Sequence, residues 1–164
     1  MRGCRNSLLL SACLIFQACG YSFVGMGSGL PPDIKKVAIP IFTNQTAETR
    51  IENIMTDLLI REFNRSKRLQ VVTEKDADAI ILGTVKAITI SPISYSPARV
   101  VVENRITLYI DVVMKRRGEE EILWKDPNLS GYYDYQVVSD IPVSERNKEE
   151  AILKAAEVLS QRIH

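Results

Sequence analysis

Few side chains in this sequence are able to do covalent or metal chemistry. The single histidine is His164, the last residue, so neither a histidine-based triad nor a multi-histidine zinc site can be assembled. All three cysteines, Cys4, Cys13 and Cys19, fall at or before position 19. Thiols are nucleophiles and acyl acceptors, and a thiol at the edge of an N-terminal segment points to modification rather than to catalysis. Asp76 and Asp78 pair two carboxylates in one polar turn, but no further ligand stands nearby, so they read as turn formers and not as a metal set. What remains is charge. Arg99, Arg105, Lys115 and Arg117 stand at odd-numbered positions along one extended stretch, and such a row can meet an anionic partner.

The composition limits what these residues can serve. The chain has 164 residues, 46% hydrophobic and 25% charged, with a formal net charge of +1. That apolar content sustains one globular domain and excludes extended disorder. A near-neutral balance argues against a nucleic-acid binder held by bulk charge, so any anionic partner must be met by a local patch.

Residues 1–18 have the layout of a cleaved bacterial secretory signal: Arg2 and Arg5 at the start, an apolar run from Leu8 to Phe16, then the small residue Ala18 before Cys19. The run is about half the roughly 20 residues that span a bilayer, which favours cleavage over a retained span. Cys19 at the cleavage point resembles the acylated cysteine of a bacterial lipobox. Cys13 competes with it, because Leu10, Ser11, Ala12 fits the lipobox consensus better than Phe16, Gln17, Ala18. Cleavage before Cys13 leaves an apolar run of only about five residues, short of the 7 to 15 an export segment uses, and this favours Cys19. Loss of Arg2 and Arg5 turns the net charge of +1 into −1, so the mature chain is slightly acidic.

Residues 19–32 hold Gly20, Gly25, Gly27, Gly29, Pro31 and Pro32 and read as a lipidated N-terminus followed by a flexible tether. A single domain is expected over residues 33–164. It opens with a short strand from Lys35 to Phe42. A helix follows, capped by Thr46 or Thr49 and ending near Ser66, with Ile51, Ile54, Met55, Leu58, Leu59 and Phe63 on one stripe. Leu69 to Thr73 is a second strand, parallel to the first because a helix joins them.

A long strand runs from Ala79 towards Tyr95, and the slip in its apolar phase between Val85 and Ile88 predicts a bulge. Pro92 and Pro97 make its end irregular or place it on an edge. Val100, Val102, Asn104, Ile106, Leu108, Ile110, Val112 and Met114 alternate as a half-buried antiparallel strand should. Lys115 to Glu121 is a hairpin tip. A three-residue loop there sets Lys115 against Glu121 and Arg116 against Glu120, and places Ile122 and Trp124 on the face of Met114. The returning strand resumes through Gly131, Tyr133 and Tyr135. A last helix opens at Ser144 or at Asn147, with Glu150 completing a capping box, and buries Ile152, Ala155, Ala156, Leu159 and Ile163. One stripe on each helix and one apolar sheet face give an α+β two-layer sandwich: two helices on one face of a mixed, mainly antiparallel four-stranded sheet.

Cys19, Gly20, Tyr21, Ser22, Phe23 resembles the opening of a mature LPS-assembly lipoprotein of the LptE family. Val37 to Thr46, followed by Ile51, Glu52 and the Leu58, Leu59 helix, is similar to that family's strand and helix signature, and Asp78 to Gly83 to its next strand. The resemblance spans most of residues 19–164. It implies a non-enzymatic outer-membrane lipoprotein, its N-terminal cysteine carrying palmitate or similar acyl chains. Such a protein partners the β-barrel LptD, plugs its lumen, helps it assemble, and contacts lipopolysaccharide during transport to the outer leaflet. Arg99, Arg105, Lys115 and Arg117 are then the candidate lipopolysaccharide-binding residues, with Arg116 and Lys125 as neighbours. No catalytic residue, metal, cofactor or nucleic acid is implied. Two alternatives stand beside this reading: a purely structural barrel-assembly lipoprotein that never meets lipopolysaccharide, and a periplasmic lipid carrier. A carrier needs a cavity, for which a helix-covered sheet of this size leaves little room.

Overall fold

The computed structural model describes residues 29–163. The export segment, both candidate acylated cysteines and most of the tether lie outside them. In chain order the elements are β1 (Lys36–Ala38), β2 (Thr43–Asn44), α1 (Ile51–Ser66), β3 (Gln70–Val71), a 3₁₀ turn (Glu74–Asp76), β4 (Ala79–Tyr95), β5 (Val101–Arg116), β6 (Ile122–Gln136) and α2 (Ile141–Ile163).

The strands form one mixed sheet in the order β3-β1-β4-β5-β6, with β2 also pairing β4. β1 is parallel to β3 and β4, β2 is parallel to β4, and the β4-β5-β6 meander is antiparallel. The sheet has six strands rather than the expected four, because two two-residue strands, β2 and β3, pair beside β1 and the β4-β5-β6 meander. Pro40 has no N–H to give a ladder, so β1 stops at Ala38, and pairing restarts as the two residues of β2.

Ile106, Leu108, Ile110, Val112 and Met114 are fully buried, so the alternation read from the sequence is the helix-facing side of β5. Ile51, Met55, Leu58, Leu59 and Phe63 of α1 and Ala151, Ile152, Ala155, Ala156, Leu159 and Ile163 of α2 close over it as one core. The helix starts differ from expectation. Arg50, in a left-handed conformation (φ 68°), precedes α1 without a side-chain cap. Thr46 instead donates its hydroxyl to Asn44, whose amide group donates to the Glu48 carbonyl and the Glu52 carboxylate. α2 begins at Ile141 rather than at Ser144 or Asn147, because Asp140 accepts the Val143 N–H at 3.1 Å, and Pro142 suits a first helical turn.

The bulge sits where the phase slip put it, with the β4–β5 register shifting between Val85 and Ala87. The long hairpin outruns its helices: at about 3.3 Å per residue β4 extends roughly 56 Å, whereas α1 and α2 are roughly 24 and 35 Å long. On the helix-facing side, exposure rises along β5 from zero at Ile106 to 37% at Val102, and Ile90, the β4 partner of Ile106, is 44% exposed.

Candidate functional site

The helices cover one face of the sheet, and the other face holds the odd-numbered side chains of β5. Arg105 lies there, opposite Asp134 of β6. Its Nε and Nη2 donate to the two carboxylate oxygens of Asp134 at 2.7 and 2.9 Å, and its guanidinium stacks 4.1 Å from the centre of the Tyr132 ring. The paired guanidinium holds Asp134 below the usual carboxylate range, and Asp134 in turn raises Arg105. Asp134 and Tyr132 were not among the residues singled out from sequence; their cross-strand position relative to Arg105 depends on the β5–β6 register, which a bulge between Ile110 and Val112 resets.

Lys115 closes the same face at the opposite end of β5, with its ammonium 2.9 Å from Glu120. The hairpin loop has four residues, Arg117 to Glu120, not three: the Arg116 N–H donates to the Glu121 carbonyl, and Gly118 takes a positive φ of 77°. The charge pairing is therefore shifted by one, Lys115 with Glu120 and Arg116 with Glu121. Trp124 does stand opposite Met114, but a second register shift leaves Ile122 opposite Lys115 and half exposed.

Arg116 also reaches Asp33 at 2.5 Å, so it ties the start of the described chain to the hairpin. Asp33 is held below the usual range by that guanidinium. Arg117 turns back and donates its Nε to the Ala77 carbonyl, while its backbone N–H donates to Asp78. Asp78 accepts the backbone N–H groups of Lys35 and Lys36 at 3.0 and 2.9 Å, and those two bonds lower its pKa. Asp76 accepts the Thr73 hydroxyl. Asp76 thus serves its own turn as expected, whereas Asp78 ties the start of β1 to β4.

The four cations do not share one patch. Arg99 stands in the β4–β5 turn with a φ of 58°, before β5 begins, and Arg105, Lys115 and Arg117 follow along the strand to its far end. Lys115, Arg116 and Arg117 are brought together with Asp33, Glu119, Glu120 and Glu121, beside an open hollow of about 510 Å³ floored by Ile80 and Leu82.

Two helices laid on one face of a mixed sheet, with the other face open and edged by charge, define an α+β two-layer domain. The chain resembles rare lipoprotein B of Shewanella oneidensis (TM-score 0.54, 16% identity, 79% of this chain and 90% of that one). It also resembles lipoprotein B of Nitrosomonas europaea (0.51, 21%, 88% and 87%) and a minor lipoprotein of Acinetobacter baumannii (0.55, 14%, 81% and 90%). At these identities the likeness is one of fold. No curated protein matches the chain. The family model LptE, Lipopolysaccharide-assembly, matches residues 34–164, and the chain belongs to that family.

Proposed function

We propose that this protein is a non-enzymatic outer-membrane lipoprotein subunit of the lipopolysaccharide translocon. In this reading residues 1–18 are removed, Cys19 is acylated with palmitate or a similar chain, and residues 19–32 tether the domain to the outer membrane. The domain faces the periplasm and occupies the lumen of an LptD-like β-barrel, which it helps to assemble. The observation that carries the reading is the family match across residues 34–164, which includes every element of the sheet and both helices. The Cys19, Gly20, Tyr21, Ser22, Phe23 opening agrees with it. At least two acyl chains make such anchoring stable, since each buried CH₂ contributes about 0.8 kcal/mol and one chain is marginal.

Lipopolysaccharide is polyanionic and the mature chain is slightly acidic, so contact must come from local cations. Lys115 at the end of β5 and Arg117 at the start of the hairpin loop are the pair close enough in the chain to engage one phosphate cluster. Arg105, near the other end of β5, and Arg99, in the β4–β5 turn, would meet another part of the molecule.

Co-purification of the full-length chain with an outer-membrane β-barrel tests the reading. A stable complex is the expected result, and a chain that purifies alone from detergent-solubilised outer membranes overturns it. Intact mass tests the anchor: a mature chain starting at acylated Cys19 is expected, and one starting at Cys13, or unmodified, sinks that assignment.

A further inference from the structure

The β2–β4 ladder stops short. β2 pairs Thr84 and Val85 of β4, the Gln45 N–H adds a last bond to the Val85 carbonyl at 2.9 Å, and past the Lys86 bulge no strand among the described residues pairs β4 on that side. The direction of the free groups follows from a proline. Pro92 has no N–H, so its pairing with Asn104 is of the non-hydrogen-bonded kind, and its carbonyl points away from β5. Register is unbroken from Ala87 to Pro92, so alternation turns Ile88 and Ile90 the same way. Their N–H and C=O groups lie on the open side, whereas those of Ala87, Thr89 and Ser91 bond to β5.

Native edges of this kind are protected by charge, proline or bulges, and here the Lys86 bulge and Pro92 bound the open stretch without covering it. Here the chain carries no charged residue from Ala87 to Ala98, and Thr89, Ile90, Ser91, Ile93 and Tyr95 are all exposed. An unpaired, uncharged, β-prone strand edge recognises one thing well, which is another extended backbone. A bilayer offers no partner for the four free backbone groups of Ile88 and Ile90. A second copy pairing antiparallel about Thr89 would drive its own Ser94 and Tyr95 against the space that β2 already fills. A separate extended segment has no such conflict.

We infer that the open edge of β4 from Ala87 to Ser91 is a β-augmentation site for an extended, uncharged segment of the partner barrel. The inference rests on the barrel-partner reading above. Strands of a closed barrel have no free backbone groups, so the segment comes from outside the barrel's own ladder, from a loop or an interior strap. It continues the line of β2 and adds its apolar side chains beside Ile88 and Ile90 on the helix-facing side.

The test is amide hydrogen exchange on the full-length chain, alone and in its co-purified barrel complex. In the free chain the Ile88 and Ile90 amides should exchange fast, while Thr89, bonded to β5, stays protected. In the complex both open-side amides should slow by about tenfold or more. A complex that forms while these amides exchange at the free rate overturns the inference and leaves the barrel reading intact. Failure of any complex to form overturns both. Protection that grows with concentration of the chain alone, or with phosphatidylethanolamine vesicles, assigns the edge to a second copy or to lipid and likewise overturns it. Two variants separate backbone from side chain: Ile90→Pro removes an open-side donor without touching a β4–β5 bond, and Ile90→Ala keeps it. Loss of barrel co-purification with Ile90→Pro and retention with Ile90→Ala is expected; variants that both bind, or both fail while folded, overturn backbone pairing.

Discussion

Gly83 of β4 has no side chain because Phe42 fills the space where one would be: a β-carbon built at Gly83 overlaps the Phe42 ring. Phe42 is only 3% exposed, and its N–H donates to the buried Thr56 hydroxyl of α1, so the ring cannot swing away freely. The β1–β2 connection, α1 and β4 are thereby locked together at one point. Gly83→Ala should cost about 1 to 3 kcal/mol through overpacking. Urea unfolding checks it, and adding Phe42→Ala should recover part of the loss, since the two changes share a contact and will not add. Strict additivity would show that Phe42 is not the obstacle.

Leu108 tests the strand phase. It is fully buried in the middle of the helix-facing side of β5, between Ile106 and Ile110. Leu108→Ala should cost about 2 to 5 kcal/mol through the cavity it leaves. Thr107→Ala, on the open face beside it, should move the midpoint little. Equal effects at the two positions would contradict the layering.

Acid should loosen the corner where β1 meets the β5–β6 hairpin, and with it the Arg105–Asp134 pair towards the other end of β5. The carboxyl groups of Asp33, Asp78, Glu120 and Asp134 all sit below their ordinary values when folded, through Arg116, the Lys35 and Lys36 N–H groups, Lys115 and Arg105 respectively. An unfolded chain then binds more protons than the folded one as pH falls, so the stabilisation is complete above the ordinary carboxylate range and is lost on descent through the folded values. Stability should hold from neutrality to about pH 5 and decline below about pH 4. Asp78→Asn should flatten part of that decline. A urea midpoint independent of pH between 6 and 3 would count against the network.

Periodicity reveals the parts of this fold that depend on one chain segment at a time. The β5 alternation, both helix stripes and the β4 bulge are each visible in a single run, because burial on one face imposes its period directly. What depended on pairing two segments was less legible. The hairpin loop is one residue longer than expected, since Gly118 at positive φ allows a four-residue loop that apolar pattern alone does not distinguish from three. β2 is only two residues and carries no period at all. α2 starts ahead of Ser144 and Asn147, good cap residues by type, because both bond elsewhere: Ser144 to Val138 and Asn147 to the Gln136 carbonyl. The candidate cations suffer the same limit. Their spacing follows from sequence, but Arg99 and Arg117 fall outside β5, and Asp134 for Arg105 and Asp33 for Arg116 are long-range partners.

The last prediction concerns that hairpin. Lys115 is held by Glu120, and Arg117 spends its Nε on the Ala77 carbonyl, so a lipopolysaccharide phosphate must compete with Glu120 for Lys115 while approaching Arg117 from its free side. Opposite changes should therefore have opposite effects. Glu120→Gln releases Lys115 and should strengthen lipopolysaccharide binding by the full-length chain, whereas Lys115→Glu with Arg117→Glu should weaken it. Both effects should shrink as salt rises, because exposed charges are screened over about 10 Å at 0.1 M. Binding measured at two salt concentrations, with unfolding midpoints to confirm that each variant is folded, decides the matter. If Glu120→Gln and the double reversal leave binding unchanged at both concentrations, the hairpin charges only neutralise one another, and contact with lipopolysaccharide must be sought at Arg99 and Arg105.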